Sequence, residues 1–227
     1  MIYVTGDTHC PIDIHKLSNS RFDDSMMTKE DYLVICGDAG FVWHGRDKED
    51  EWWQDWIAKK GYTTLFVDGN HENHAKLDAM PVVMWNGGKV HMLNDSLIHL
   101  MRGQVYNING KLIFTMGGAV STDKEFRIEN KSWWAREMPS MDEYNEALTN
   151  LTNCGWDVDY VFTHTAPAGD IDRFASWIMH DDMTNFLQVV KKHLNYDRWF
   201  FGHFHDDREM DQGLRMIYNH IIPVEGL

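Results

Sequence analysis

Cysteine is scarce. The three residues, Cys10, Cys36 and Cys154, include no C-x-x-C pair. An odd, scattered set excludes a disulfide framework and reads as reduced thiols in a cytoplasmic protein. Long apolar runs are lacking: no stretch approaches the length of a membrane-spanning helix. The opening residues MIYVTGD carry no basic segment ahead of an apolar one, so no secretory leader is expected. Pro/Gly/Ser linkers, low-complexity tracts and internal repeats are missing too, which points to one domain over residues 1–227. Basic charge is in short supply, with 21 Lys and Arg against 35 Asp and Glu, a net charge of −14. That balance disfavours stable nucleic-acid binding and an anionic membrane. It leaves room for a phosphate substrate, because bound divalent cations reverse the local field.

What is present is an apolar chain with an ordinary charged fraction, 43% hydrophobic and 25% charged, enough to bury a sizeable core. Several apolar runs end in glycine or threonine followed by a polar residue. IYVTGD (2–7), YLVICGD (32–38), TTLFVDGNH (63–71), YVFTH (160–164) and WFFGH (199–203) read as buried strands that deliver a side chain at their C-terminal ends. Further strands are expected at 97–101, 104–108 and 111–116, the whole region resembling a hairpin. Helices are expected over 47–61, where Trp52, Trp53, Trp56 and Ile57 form an apolar stripe, over 139–155, where Ser140 and Glu143 stand at capping-box spacing, and over 181–194. The segment 120–138 has no clean period and reads as a loop insertion near the site, part of an insertion spanning about 120–155. This order of elements predicts a layered α/β or α+β domain.

The residues delivered at the strand ends form a pattern. Asp7 and His9 stand in GDTH, Asp38 in GDAG, Asn70 and His71 in GNHE, His164 in THTAP, and His203 and His205 in GHFH. Oxygen and nitrogen donors without thiolates suit Mn, Fe, Zn or Ni. Seven ligands exceed the needs of one ion and match two that share a carboxylate.

These five blocks, in this order, resemble the D-x-H, GD, GNH[E/D], H and GHxH motifs of the calcineurin-like metallophosphoesterases. The spacings are 31, 32, 94 and 39 residues, from Asp7 to Asp38, Asn70, His164 and His203 in turn. The resemblance implies a two-sheet β-sandwich flanked by helices, a four-layer αββα arrangement. It implies one divalent cation held by Asp7, His9 and His205 and another by Asn70, His164 and His203. Asp38 would bridge the two, and His71 would face the substrate without ligating. Mn is the favoured cation. Two such ions lower the pKa of a bridging water, whose hydroxide attacks phosphorus in line. His71, as an imidazolium, would stabilise the developing charge or protonate the leaving oxygen, oriented by Asp68 or Glu72. Arg127 and Arg173 are candidates to bind substrate oxygens alongside Asn70 and His71.

The GD block runs on as AGFVW rather than the VDRG of the protein Ser/Thr phosphatases, so the arginine of that run is missing. Ser132–Trp134 and Gly117–Gly118 are similar to stretches in shorter bacterial and phage phosphoesterases. The expected function is therefore hydrolysis of a small phosphodiester or nucleotide-type phosphate. A phosphomonoesterase, protein phosphatases included, and a non-catalytic interaction scaffold on the same fold are the alternatives. The sequence leaves the oligomeric state open, with Trp52 and Trp53 as one candidate dimer face.

Overall fold

A computed structural model describes residues 1–43 and 47–225. The chain folds into two mixed sheets facing each other. The first has seven strands in the order β13-β1-β2-β3-β6-β5-β4. Its parallel centre is β1 (Ile2–Thr5), β2 (Tyr32–Cys36), β3 (Thr63–Val67) and β6 (Leu97–Leu100); β13 (Ile222–Pro223) and β5 (Gly88–Asn94) pair antiparallel with β1 and β6, and β4 (Val82–Trp85) pairs antiparallel with β5 at the edge. The second has six strands in the order β11-β12-β10-β9-β8-β7. Parallel strands β8 (Lys111–Met116), β9 (Tyr160–Thr163), β10 (Arg198–Phe201) and β12 (Leu214–Met216) form its centre, with β7 (Gln104–Ile108) and β11 (Arg208–Glu209) at the edges.

Side-chain alternation along the central strands fills both faces of each sheet, so their sequences are apolar without a break. In β2, Val34 and Cys36 point between the sheets, where they meet Phe162 and Phe200. Leu33 and Ile35 point outward, under α1 (Asp47–Ala58) and α2 (His74–Asp78). On the far side, Val161, Trp199 and Phe201 pack against α3 (Met141–Asn153), α4 (Ala168–Phe174) and α5 (Asp182–His193). The result is helix, sheet, sheet, helix, as the resemblance implies. The Ser140–Glu143 capping box forms at the start of α3. No helix among the described residues is long and apolar enough to cross a membrane.

Three expectations change. The region 97–116 is not one hairpin: β6 belongs to the first sheet and β7 to the second, and residues 101–103 carry the chain across. Gly103, at φ +72°, makes that crossing against Ala147, which a Cβ would crowd at 2.9 Å. The apolar stripe of α1 narrows to Trp53, Trp56 and Ile57. Trp52 is 56% exposed and only edges onto Trp53. The 120–155 stretch divides: 120–138 is irregular, with two short 3-10 turns, whereas α3 is part of the outer helical layer.

Buried histidines make the fold acid-sensitive. Across β5 and β6, His91 faces His99 with their Nδ1 atoms 3.1 Å apart, and His99 Nε2 meets Asp68 at 3.2 Å. Burial, then the neighbouring His99, pushes His91 down to about 4. Burial, then Arg102, pushes His74 down to about 3. Both groups protonate near pH 6.5 in an unfolded chain. Below that pH the unfolded state binds more protons than the folded one, so stability should fall as pH drops from about 6.5 towards 4. A thermal melt at pH 5 should give a lower Tm than one at pH 7.5. His91→Gln, which cannot titrate, should reduce the difference; equal wild-type values at both pH values would contradict this account.

Candidate metal centre

Asp7, Asp38 and Asn70–His71 follow β1, β2 and β3; His164 follows β9; His203 and His205 follow β10. All sit beyond the C-terminal ends of neighbouring parallel strands, the usual ligand-binding end of such sheets. Three strands come from one sheet and two from the other, so the cluster closes over the end of the sandwich. The chain bends sharply to achieve this. His9 (φ 33°), Asp38 (46°), His203 (67°) and His205 (51°) all adopt the left-handed region. Each such residue costs on the order of 1 kcal/mol, and such strain collects at functional sites. Gly202 answers the close approach of the strands: a Cβ there would overlap Asp7 Oδ1 and lie 2.7 Å from the Cys36 carbonyl oxygen.

Donors come together in two overlapping groups, Asp7 with His9 and His205 and Asp7 with Asp38 and His164, and Asn70 and His203 stand beside His164. His205 Nε2 lies 3.1 Å from Asp7 Oδ2, and His9 Nε2 lies 3.9 Å from Asp7 Oδ2 and 3.3 Å from Asp38 Oδ2. On the other side, His164 Nε2 lies 3.4 Å from Asp38 Oδ1 and 3.0 Å from Asn70 Oδ1. The His203 ring is 4.9 Å from that of His164. The two oxygens of Asp38 thus face different imidazoles, one in each group.

Charge explains what the cluster can hold. Asp7 and Asp38 are buried. Burial raises both carboxyls, but His205 and His164 outweigh it at Asp7, and His164 and His9 at Asp38, so both stay below the usual carboxylate range. His164 is buried too, which disfavours its charged form; Asp38 and Asp7 nevertheless push it up to about 10. Burial and the His164 charge push His203 down to about 4. A buried field strong enough to keep a proton on His164 is strong enough to attract divalent cations. Asp7 Oδ2 is buried without a hydrogen bond. That oxygen, with His205 Nε2 3.1 Å away and a second carboxylate nearby, fits a cation.

An outer layer fixes the ligand orientations. His9 Nδ1 meets Asp13 Oδ2 at 2.9 Å, and His164 Nδ1 donates to the Cys36 carbonyl at 2.8 Å, so both rings turn Nε2 inward. Asn70 Nδ2 donates to Ser121 Oγ at 3.1 Å, and Ser121 Oγ donates to the buried Glu137 at 2.6 Å. This chain turns Asn70 Oδ1 towards His164. The Tyr218 ring stacks on His205 at 4.6 Å. Asp13, at i+4 from His9, left a faint trace in the sequence; Ser121, Glu137 and Tyr218 left none. Ser121→Ala should weaken cation binding by roughly 10–100-fold, read by calorimetric titration with Mn²⁺. Unchanged affinity would mean that the amide is held without this chain.

His71 differs from expectation. Neither Asp68 nor Glu72 orients its ring. Asp68 is occupied by Arg102 and His99, and Glu72 accepts from the Ala39 amide at 2.8 Å. The partner is Arg127, whose Nη1 lies 3.1 Å from His71 Nδ1 and whose Nε donates to Asp123 at 2.7 Å. Burial, with Arg127 adding to it against the pull of Asp38, lowers the His71 pKa. Burial and the Arg127 guanidinium thus both disfavour the imidazolium expected at His71. Trp43 packs against His71 at a centroid distance of 5.6 Å, and Trp134 packs against Trp43 at 5.6 Å. Arg173 does not join the cluster; it is half-exposed and ion-pairs with Asp211 and Asp170. His180 spends its Nε2 on Asp172, and Asp181 caps α5.

Two clefts open from the cluster. One, about 300 Å³, is lined by His9, Cys10, Trp43, His71 and Arg127. The other, about 710 Å³, reaches His203 and Ser121 and is walled by Trp177, Ile178 and Met179.

Paired carboxylates and imidazoles at the mouth of a double-sheet sandwich define a metal-dependent hydrolase. The profile of the calcineurin-like phosphoesterases matches residues 1–207, and the chain belongs to that family. It is thus a metal-dependent phosphate-ester hydrolase, of a family that implies two metal ions. No curated protein matches the chain. Among solved structures it is similar to the phosphopantetheinyl hydrolase (PptH) of Mycobacterium tuberculosis, with 16% identity over 96% of this chain and 87% of that one and a TM-score of 0.49.

Proposed function

We propose that the chain hydrolyses a small phosphodiester. The observation that carries this reading is the pair of clefts: they share no lining residue, and each touches a different part of the ligand cluster. A phosphoryl group at the cluster would have room for an ester arm on either side, and a diester has two. Asp7, His9 and His205 would hold one cation, Asn70, His164 and His203 the other, and Asp38 would lie between them. Mn²⁺ is the cation we favour, on the oxygen and nitrogen donor set. Bound there, two divalent cations supply an activated water and neutralise phosphoryl charge.

The chain's own residues do the rest. Arg127 Nη1 and Nη2 lie 3.1 and 3.4 Å from Nδ1 and Nε2 of His71, so the two side chains stand as a pair that would meet a phosphoryl or leaving oxygen. Arg127 itself supplies a fixed guanidinium at the wall of the smaller cleft. That added positive charge also favours the alternative, a dianionic monoester. Rates for bis-p-nitrophenyl phosphate and p-nitrophenyl phosphate with Mn²⁺ decide between them. The diester should turn over faster, and a chelator should stop both reactions. Turnover of the monoester alone would transfer the assignment to a phosphomonoesterase.

A further inference from the structure

The larger cleft has an apolar wall that continues into the metal cluster. Phe204, between His203 and His205 in the chain, packs edge-on against the His203 ring at 5.0 Å and against Phe174 of α4 at 4.8 Å. Beyond α4, residues 175–181 carry Trp177, Ile178 and Met179 along the cleft. Trp177 is 79% exposed and Met179 89% exposed. Neither is needed to fill the core, and both are large apolar side chains on a protein of net charge −14. The segment is held at its C-terminal side. His180 Nε2 reaches back to Asp172 Oδ1 at 2.9 Å, and Asp181 accepts the Thr184 amide at 2.8 Å. The smaller cleft differs in kind, with histidines and Arg127 around it. Segment 121–127 separates the two, sending Ser121 and Thr122 to the larger and Arg127 to the smaller.

Resting on the diester reading, we propose that the larger cleft is the subsite for one ester arm of the substrate and that this arm is aromatic. Trp177 offers a flat face, Ile178 and Met179 an adaptable apolar edge, and Phe204 the continuation to His203. The cleft, at about 710 Å³, is roomy for a bicyclic ring system.

The test uses the Mn²⁺-loaded full chain and two non-chromogenic diesters, 1-naphthyl methyl phosphate and dimethyl phosphate. Both are titrated calorimetrically and as competitors of bis-p-nitrophenyl phosphate hydrolysis. The naphthyl ester should bind at least about tenfold more tightly, the gain expected from taking one aromatic face out of water. Trp177→Ala combined with Met179→Ala should reduce that preference to within about twofold. Both residues are exposed, so the melting temperature should not move. Equal binding of the two probes by the wild-type chain would overturn the subsite, and so would a preference that survives the double substitution. In either case continued cleavage of bis-p-nitrophenyl phosphate leaves the diesterase reading intact. Failure to cleave that diester at all overturns both.

Discussion

Asp38→Ala should reduce kcat/KM for bis-p-nitrophenyl phosphate by at least about 10³-fold, some 4 kcal/mol of transition-state stabilisation. The size follows from the position of its two oxygens. Oδ2 faces His9 at 3.3 Å, Oδ1 faces His164 at 3.4 Å, and Oδ1 also accepts the His71 amide at 2.7 Å. Removing the carboxylate therefore takes an oxygen donor from beside both His9 and His164 and leaves the His71 amide without its acceptor. It also removes the largest attraction on His164, whose proton is then favoured by Asp7 and the Cys36 carbonyl. Steady-state rates with saturating Mn²⁺, alongside elemental analysis of bound metal, decide the matter. Activity within tenfold of wild type would show that Asp38 is not shared between two cations. Glu72, buried beside the same loop and raised in pKa first by burial and then by Asp38, is a useful contrast. Glu72→Gln keeps the hydrogen bond from Ala39 and should leave the rate nearly unchanged.

The residues of this cluster were legible in the sequence because each obeys a local rule. Asp7, Asp38, Asn70, His164 and His203 all follow an apolar run that ends in glycine or threonine, and each run became a central strand. Their convergence was read from resemblance, since no periodicity relates residue 7 to residue 205. Edge strand β4 was hidden for a physical reason, whereas β7 at the other sheet's edge was expected. In β4, Val82, Val83 and Met84 are all exposed, so no buried face imposes alternation on the sequence. Residues 101–103 look like a hairpin turn, yet they switch the chain between sheets, a choice made by packing against α3. The outer layer was hidden in another way. Ser121 meets Asn70 across 51 residues, and Arg127 meets His71 across 56. Serine and arginine in an aperiodic loop carry no mark of the partner they will find. Arg173 shows the converse: an arginine that could have served substrate is spent on Asp211 and Asp170.

Arg102 is the strongest such case, and Arg102→Leu should be the most destabilising single substitution outside the cluster, by about 3–5 kcal/mol. Arg102 and Asp68 are both buried. Arg102 Nε and Nη2 donate to Asp68 Oδ2 at 2.8 and 2.5 Å, and Nη2 also reaches the carbonyls of Arg136 and Glu137 at 3.0 Å. The guanidinium thus ties the end of β3 to the sheet crossing and to the segment that carries Glu137. Burial raises the Asp68 carboxyl, and Arg102 is the main charge that holds it well below the usual range. Without Arg102 the charged partners left to the carboxylate, among the described residues, are His99 and the more distant His74. For a chain of this length the loss corresponds to a Tm lower by about 10 °C. Adding Asp68→Leu to Arg102→Leu removes the stranded charge, so the double variant should melt above the single one. If the second substitution lowers Tm further instead, the pair contributes through its links to the Arg136 and Glu137 carbonyls rather than by mutual neutralisation. Since Asp68 stands two residues before Asn70, and its carbonyl accepts the Gly118 amide at 2.9 Å, the same variants should also weaken Mn²⁺ binding. Calorimetry can separate that effect from stability, because it reads the affinity of the chain that remains folded.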